Sequence, residues 1–542
     1  MKSAAWTLVL VSLLTGTALA QTPSVGGLLN NYSFTLPGLP NYGIAQGSIF
    51  DIFGTNLAST TTGLQNPPLQ TTLEGTSISV TVNGTTTQPL IYFVSAGQIA
   101  AILPSATPVG TGTITVTTAA GTSAPFNIQV VESAFGLLTK NNGTGPVAGF
   151  DANNSYKLMD YSQAANPGDI LELWGTGLGP VAGDATGVAV STPIEVDIAG
   201  VQAQVLYHGR SGYAGLDQIN VKVPTGLAGC NLSVVVISNG IPSNYGTLPV
   251  AASGRACSDP GSGITSDLLN TIKSKGSFSA GYVGITKTTT PGTTIGGITI
   301  GGGTKDAGFA SFTKITAAQF TSAGYYGGTS IGSCTILTFN GQAPPSGITG
   351  TSLNAGPNVN ITGPNGTIAM PFTTTAGFGS YFTGANQASF IPAAGGTFTF
   401  DNGSGGPDVG SFSAQLVVAQ PLVWSNMSAL TTITRSAGAT VTWTGGDPST
   451  FVTITGTSLS TPDQGTTFLG GFFTCLAPTA PGSFTVPAPV LMSLPASTTI
   501  SGISFSTLSV GNSTKPTFFS ASGLDLGSVS ATVSSSENVT YQ

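Results

Sequence analysis

The segment Gly47-Ser48-Ile49-Phe50-Asp51-Ile52-Phe53-Gly54-Thr55-Asn56-Leu57 returns later as Gly168-Asp169-Ile170-Leu171-Glu172-Leu173-Trp174-Gly175-Thr176-Gly177-Leu178. Further echoes follow in the same order. Pro89-Leu90-Ile91-Tyr92 answers to Gln204-Val205-Leu206-Tyr207, and Gln98-Ile99-Ala100-Ala101-Ile102-Leu103-Pro104 to Gln218-Ile219-Asn220-Val221-Lys222-Val223-Pro224. Matches that keep their order over such a span define a duplicated domain. What repeats is strand and turn chemistry with almost no reactive side chains, so the repeat constrains architecture and does not name an activity.

Alternation dominates each copy. Thr76-Ser77-Ile78-Ser79-Val80-Thr81-Val82 runs into Asn83-Gly84, a strand delivering into a type I′ hairpin, and Ile194-Glu195-Val196-Asp197-Ile198 runs into Ala199-Gly200 at the matching place. Each copy offers about seven short strands in about 110 residues, the rhythm of an immunoglobulin-like sandwich. The glycine of Gly-Thr-x-Leu is expected to supply a backbone angle other residues resist, with Leu57 and Leu178 returning to the core. These motifs resemble the IPT/TIG immunoglobulin-like fold. The second copy, from Val205-Leu206-Tyr207-His208-Gly209-Arg210 through Gly215-Leu216-Asp217-Gln218, with Pro242-Ser243-Asn244 near its end, also resembles the uncharacterised Solibacter-type domain of secreted bacterial proteins. That resemblance covers residues 30 to 252 and implies a fold, since the family carries no established biochemistry. The first copy lacks the insertion, passing from Tyr92 to Gln98 directly.

Residues 1–20 have one positive charge, Lys2, an apolar run from Ala4 to Leu14, and Ala18-Leu19-Ala20 before Gln21. This is the pattern of a cleaved secretory signal, and no later stretch reaches the ~18 consecutive apolar residues of a membrane span. The expectation is a secreted or extracellular protein, in some settings associated with the cell surface. Charged residues are only 6% of the chain, against roughly 25% in an ordinary soluble domain, and the net charge is −7. Nucleic acid is excluded as a partner because binding it needs clustered Lys and Arg. An apolar fraction of 40% is nevertheless enough to build cores.

Helical spacing is confined to Ser266–Lys275 and Ala317–Ala323. After the linker Asp259-Pro260-Gly261-Ser262-Gly263, strands rich in Gly, Ser and Thr continue to the end. The chain therefore reads as all-β: a signal peptide at 1–20, IPT/TIG-like sandwiches at 30–137 and 138–257, a β-rich domain at 264–420 and an immunoglobulin-like sandwich at 421–542. Cys230 with Cys257, and Cys334 with Cys475, are the expected disulfides, worth about 3.5 and about 5 kcal/mol by loop closure. The second pair would staple the last two domains together. The alternative is buried free thiols.

Chemistry is sparse. His208 is the single histidine, and Gly328-Thr329-Ser330-Ile331-Gly332 matches a nucleophile elbow but follows the histidine, against the hydrolase order. Asp169 with Glu172 fall on opposite strand faces, whereas Glu195 and Asp197 share one, as a solvated strand face would. Asp401-Asn402-Gly403-Ser404-Gly405-Gly406-Pro407-Asp408 offers oxygen donors without the EF-hand spacing and reads first as a hairpin turn. No metal site and no cofactor are expected, and no catalytic residue is assigned. Binding is the favoured class, with carbohydrate or a surface protein as partner. Candidate stacking residues are Tyr207, Tyr213, Tyr325 and Tyr326, all flanked by glycines, with Phe378, Tyr381, Phe382, Phe472 and Phe473 as further candidates. The rival readings are a secreted carbohydrate-active or other hydrolase with its site in 258–420, and a structural spacer of the envelope.

Overall fold

The computed structural model describes residues 21–259, 262–295, 298–300, 302–323, 329–340, 350–375, 378–384, 389–461, 468–500 and 503–542. The signal peptide expected at 1–20 and the candidate pair Tyr325 and Tyr326 lie outside them. The architecture is all-β and multi-domain, and it begins with two immunoglobulin-like sandwiches.

In the first sandwich, one sheet runs in the order Ser24–Asn30, Ile49–Thr55, Gln98–Ile102, Leu90–Val94. The other is built on Phe126–Val131, Gly110–Thr118 and Thr76–Val82. Strict alternation along Thr76–Val82 places Ile78, Val80 and Val82 inward, where they meet Phe50, Ile52, Ile99 and Ile114. Each such side chain, fully buried, contributes about 1.5–3 kcal/mol. Asn83 and Gly84 both have positive φ, as do Ala199 and Gly200, so both hairpins close as the sequence implies. The second sandwich repeats the plan with Ile170–Thr176 between Phe150–Asp151 and Asp217–Lys222, facing Gly229–Ser238, Gly246–Val250 and Ile194–Ile198.

The repeated glycines do not act as expected. Gly54 and Gly175 lack a positive φ; that falls two residues later, at Asn56 (φ 54°) and Gly177 (φ 102°). What excludes a side chain is close approach. A Cβ on Gly54 would overlap the Ser24 carbonyl, and one on Gly175 the Phe135 ring and the Gly136 carbonyl. Leu57 and Leu178 are fully buried.

The remainder is built around one long sheet. Its order is Cys334–Phe339, Leu469–Pro478, Phe451–Ser460, Thr507–Ser513, Leu526–Asn538, Ser277–Thr290, Gly303–Thr316, Phe378–Phe382, Gly366–Thr375, Asn358–Gly363, Gly396–Asp401, Ser413–Val418. One face carries two cores. The first gathers Val283, Ile285, Phe312, Tyr381 and Phe398 with Val529 and Ala531. The second gathers Trp424, Val441, Ile454, Phe473 and Leu508 with Cys334. Two strands thus cross a division placed at Gln420–Pro421: Leu526–Asn538 pairs in parallel with Ser277–Thr290, and Cys334–Phe339 pairs with Leu469–Pro478.

Both disulfides form. Cys334 and Cys475 face each other across one antiparallel ladder, so their bond joins neighbouring strands of one sheet and does not staple separate domains. The helices at Ser266–Lys275 and Ala317–Ala323 are present, the first capped by the Thr265 side chain and ended by left-handed Gly276. A third, Ala488–Met492, is too short for periodicity to mark.

Glycine and phenylalanine are paired across this sheet. Gly281 stands opposite Phe312, Gly284 opposite Phe309, Gly456 opposite Phe473, Gly470 opposite Phe339 and Gly527 opposite Phe519. In each pair a Cβ on the glycine would run into the ring, so the phenylalanine lies flat across its neighbour. A ring in that position covers backbone that glycine leaves bare, which offsets the usual weakness of glycine in a strand.

Candidate functional site

The Tyr207–Gly215 insertion serves chiefly as a joint. Arg210 is buried and donates through Nε to Asp217 Oδ1 at 2.7 Å and through an Nη to the Gly179 carbonyl at 3.2 Å. Asp217 Oδ2 accepts from the backbone N–H groups of Gly177 (2.7 Å) and Leu178 (2.8 Å), so the ion pair holds the repeated turn. Burial pushes the Asp217 carboxyl above its ordinary value, against the opposing pull of Arg210. Thr176 Oγ1 donates to the Gly215 carbonyl at 2.6 Å and accepts from Ile49 N–H of the first sandwich at 2.8 Å. A Cβ on Gly215 would lie 2.7 Å from the Ile49 side chain. Tyr207 is half-buried with its hydroxyl donating to the Arg210 carbonyl, and Tyr213, 62% exposed, stands alone at the tip. The glycines that suggested an open loop allow close packing of two domains.

Several of the acidic residues are occupied. Arg255 bridges Asp151 (2.6 Å) and Asp169 (2.5 Å). In 258–420, Asp306 accepts from Phe390 and Ile391 N–H, Ser389 and Lys287. Asp401 accepts from Asn360 and Gly403, and Asp408 from Asn354 N–H. Asn402 is buried with its donors on the Ala355 and Gly410 carbonyls, so the Asp401–Asp408 stretch is a self-satisfied turn. Ser330 of the elbow-like motif donates to Asp259 and accepts from Asn231 N–H, inside the contact with the second sandwich. Burial lowers the affinity of His208 for a proton. Among the described residues no group of three or more His, Cys, Asp or Glu converges as a metal site.

An open aromatic surface lies on the other face of the long sheet. At one end this face is closed by Phe278, Ala280, Ile315 and Phe320, which pack against Tyr161, the helix Ser266–Lys275 and the Cys230–Cys257 disulfide. Two residues further along this packing ends, with Phe309 and Tyr282 half-buried and Ser311 exposed. Phe309 sits across from Phe382, and beside Tyr282 with ring centroids 5.3 Å apart. Both Phe309 and Tyr282 lie against Gly284, where a Cβ would be 2.7 Å and 3.0 Å from their ring atoms. Phe382 is 55% and Phe378 45% exposed, and Phe518, opposite Ser528, is 45% exposed. Tyr381, on the intervening position, points into the core and hydrogen-bonds Ala355 and Gly356. Of the further aromatics suggested by the sequence, Phe378, Phe382 and Phe472 are exposed and Tyr381 and Phe473 are core.

Hydroxyls continue the surface. Tyr282 pairs with Ser530 (2.6 Å), Thr532 with Ser513 (2.9 Å) and Ser513 with Thr453 (2.7 Å), each across a strand boundary. Alternation missed this surface because it needs strand register, which the sequence does not display.

The class defined by fold and surface is a multi-domain immunoglobulin-like protein with an open sheet face. No family model and no curated protein matches the chain. Among solved structures, the plexin A4 extracellular region is similar at 15% identity, covering 44% of this chain and 19% of its own, with a TM-score of 0.17. Bacteroides ovatus SGBP-B of a mixed-linkage glucan utilization locus, in complex with a mixed-linkage heptasaccharide, is similar at 12% identity, covering 39% and 43%, with a TM-score of 0.19. Titin domains A168–A170 are similar at 9%, covering 67% and 89%, with a TM-score of 0.14. The chain thus spans less than half of the plexin and Bacteroides chains, and any functional reading rests on its own residues. Among the described residues no helix is long and apolar enough to cross a membrane.

Proposed function

We propose that this is an exported, non-catalytic binding protein whose ligand is carbohydrate, held on the open face formed by Phe378, Phe382, Phe309 and Tyr282. The observation that carries the reading is the pair of rings over Gly284 beside exposed Phe382. A ring lying flat on a sheet turns its π face outward, which suits the apolar face of a sugar. Hydroxyls around the rings complement the sugar's own. Support for a non-catalytic role is that the acids of 258–420 named above cap backbone and side-chain donors. The two disulfides and the leader-like N-terminus support export.

A glycan array tests the reading. Parent protein is expected to retain glycans, and Phe382→Ala and Phe309→Ala to weaken retention by about tenfold, the loss of one stacked ring. Retention unchanged in both variants, or no glycan retained, refutes the site. Turnover of a retained glycan that stops when one acid becomes its amide would refute the non-catalytic role.

A further inference from the structure

Resting on the carbohydrate reading above, we infer that the ligand is an uncharged, extended polysaccharide that lies across the strands, not along them, at one sugar per strand.

Six neighbouring strands contribute to the open face, in the order Phe378–Phe382, Gly303–Thr316, Ser277–Thr290, Leu526–Asn538, Thr507–Ser513, Phe451–Ser460. The first three supply rings, Phe382, Phe309 and Tyr282, in consecutive positions across the sheet. The next three supply hydroxyls, Ser530 and Thr532, then Ser513, then Thr453, joined by the hydrogen bonds already given. The two halves form one track because Tyr282 belongs to both, its ring beside Phe309 and its hydroxyl on Ser530.

Spacing fixes the direction. Neighbouring strands are about 4.8 Å apart, so six strands make a track of about 24 Å. The repeat of an extended, equatorially linked pyranose chain is close to that strand spacing of roughly 5 Å. A chain laid across the strands therefore meets a fresh ring or hydroxyl with every sugar and fills the track with about five or six. Laid along a strand, it would meet Ser380 and Ser311 two residues from Phe382 and Phe309, and another ring, Phe378, only on one of the six strands, four residues from Phe382.

Charge fixes the class. By alternation, these six strands place one charged residue on this face, Lys305, opposite Thr288 and beyond the row of Thr286 and Thr532. A hydroxyl pair sharing one proton still offers a donor and lone pairs without net charge. Nothing on the track neutralises a carboxylate or sulfate on each sugar, so an anionic polymer would lose hydration without compensation.

Calorimetry on the full chain with neutral β-1,4-linked gluco-, xylo- and manno-oligosaccharides of two to eight units tests this, with β-1,4-linked mannuronate oligomers as the charged probe. In at least one neutral series affinity is expected to climb to about five or six units and then level off, with little response to salt, and the charged series to bind at least tenfold more weakly. Thr453→Val with Ser513→Ala is expected to weaken pentamer binding about tenfold while leaving trimer binding and the melting temperature unchanged. Affinity that levels off at two units, a charged series that binds as well as the neutral ones, or a double variant that weakens trimer and pentamer alike overturns the inference while leaving carbohydrate binding standing. No binding in any series overturns both.

Discussion

The two sandwiches hold the same turn by different means. In the first, Gly54 and Leu57 donate their N–H groups to the backbone carbonyls of Gly97 and Ala96. In the second, Gly177 and Leu178 donate to the side chain of Asp217, the residue that stands where the first has Gly97. A short connection brings its own backbone to the turn. A longer one moves away, and a buried carboxylate takes over, which in turn requires Arg210. The freed segment then reaches Ile49 and Ile102 of the other copy. Where the first copy has a short surface loop, the longer connection of the second serves as a domain joint.

This contrast can be broken most sharply at Arg210. Arg210→Met leaves Asp217 buried without its cation and is expected to cost about 3–5 kcal/mol in denaturant unfolding, whereas the first sandwich has no corresponding pair to lose. A cost below about 1 kcal/mol would mean that the backbone holds both turns equally well. Next come the glycines. Gly175→Ala drives a methyl into the Phe135 ring and the Gly136 carbonyl, inside the second sandwich, and is expected to cost about 2–3 kcal/mol. Gly54→Ala meets the Ser24 carbonyl on an edge strand that can shift, for about 1–2 kcal/mol. The reverse ranking in thermal melts would show that the second copy's turn is the softer of the two.

A smaller loss, about 1–2 kcal/mol, is expected for Thr176→Val, which leaves the Ile49 N–H and the Gly215 carbonyl without their shared partner. Hydrogen exchange should speed at Ile49 while the interior of each sandwich stays protected; unchanged exchange at Ile49 would remove Thr176 from the joint.

The smallest effect is that of pH. Burial raises the carboxyl pKa of Asp51 in the first sandwich, and of Asp151, Glu172, Asp197 and Asp217 in the second. A raised folded-state pKa contributes stability that is present below the unfolded value and lost as pH rises through the folded one. Burial lowers that of His208, which acts in the opposite sense below its ordinary value near 6.5. Five carboxyls against one imidazole predict melting temperatures that rise modestly from pH 7 to about pH 5. Intrinsic-rate-corrected exchange should show the larger gain in the second sandwich; an equal gain in both would mean that its additional carboxyls are solvated.

The sequence exposed whatever lies within one strand or turn. The duplicated sandwiches, the type I′ hairpins and two of the three α-helices among the described residues were legible because alternation, Asn-Gly chemistry and helical spacing are local signals; the disulfide pairs were legible because four cysteines leave one pairing once Cys230 and Cys257 join. The joint was not, because the glycines beside Tyr213 look the same whether they free a loop or admit Ile49. The aromatic face was half legible. Phe378 and Phe382 alternate about Tyr381, which separates outside from inside, but the stacking of Phe309 over Gly284 depends on a register set between distant strands. The expected Cys334–Cys475 bond pointed from Cys334–Phe339 to Leu469–Pro478 across Gln420, but nothing in either strand's alternation showed that the two are neighbours in one sheet.

That long-range pairing also sets an order of events. Ser277–Thr290, the strand that carries Tyr282, Val283 and Ile285, has as its parallel neighbour Leu526–Asn538, which emerges only after all the intervening strands have been made. The two leading sandwiches contain all their own strands and can close early, while the ligand track stays unassembled until the late strand docks. During synthesis, then, the chain completes the proposed sugar-binding surface last.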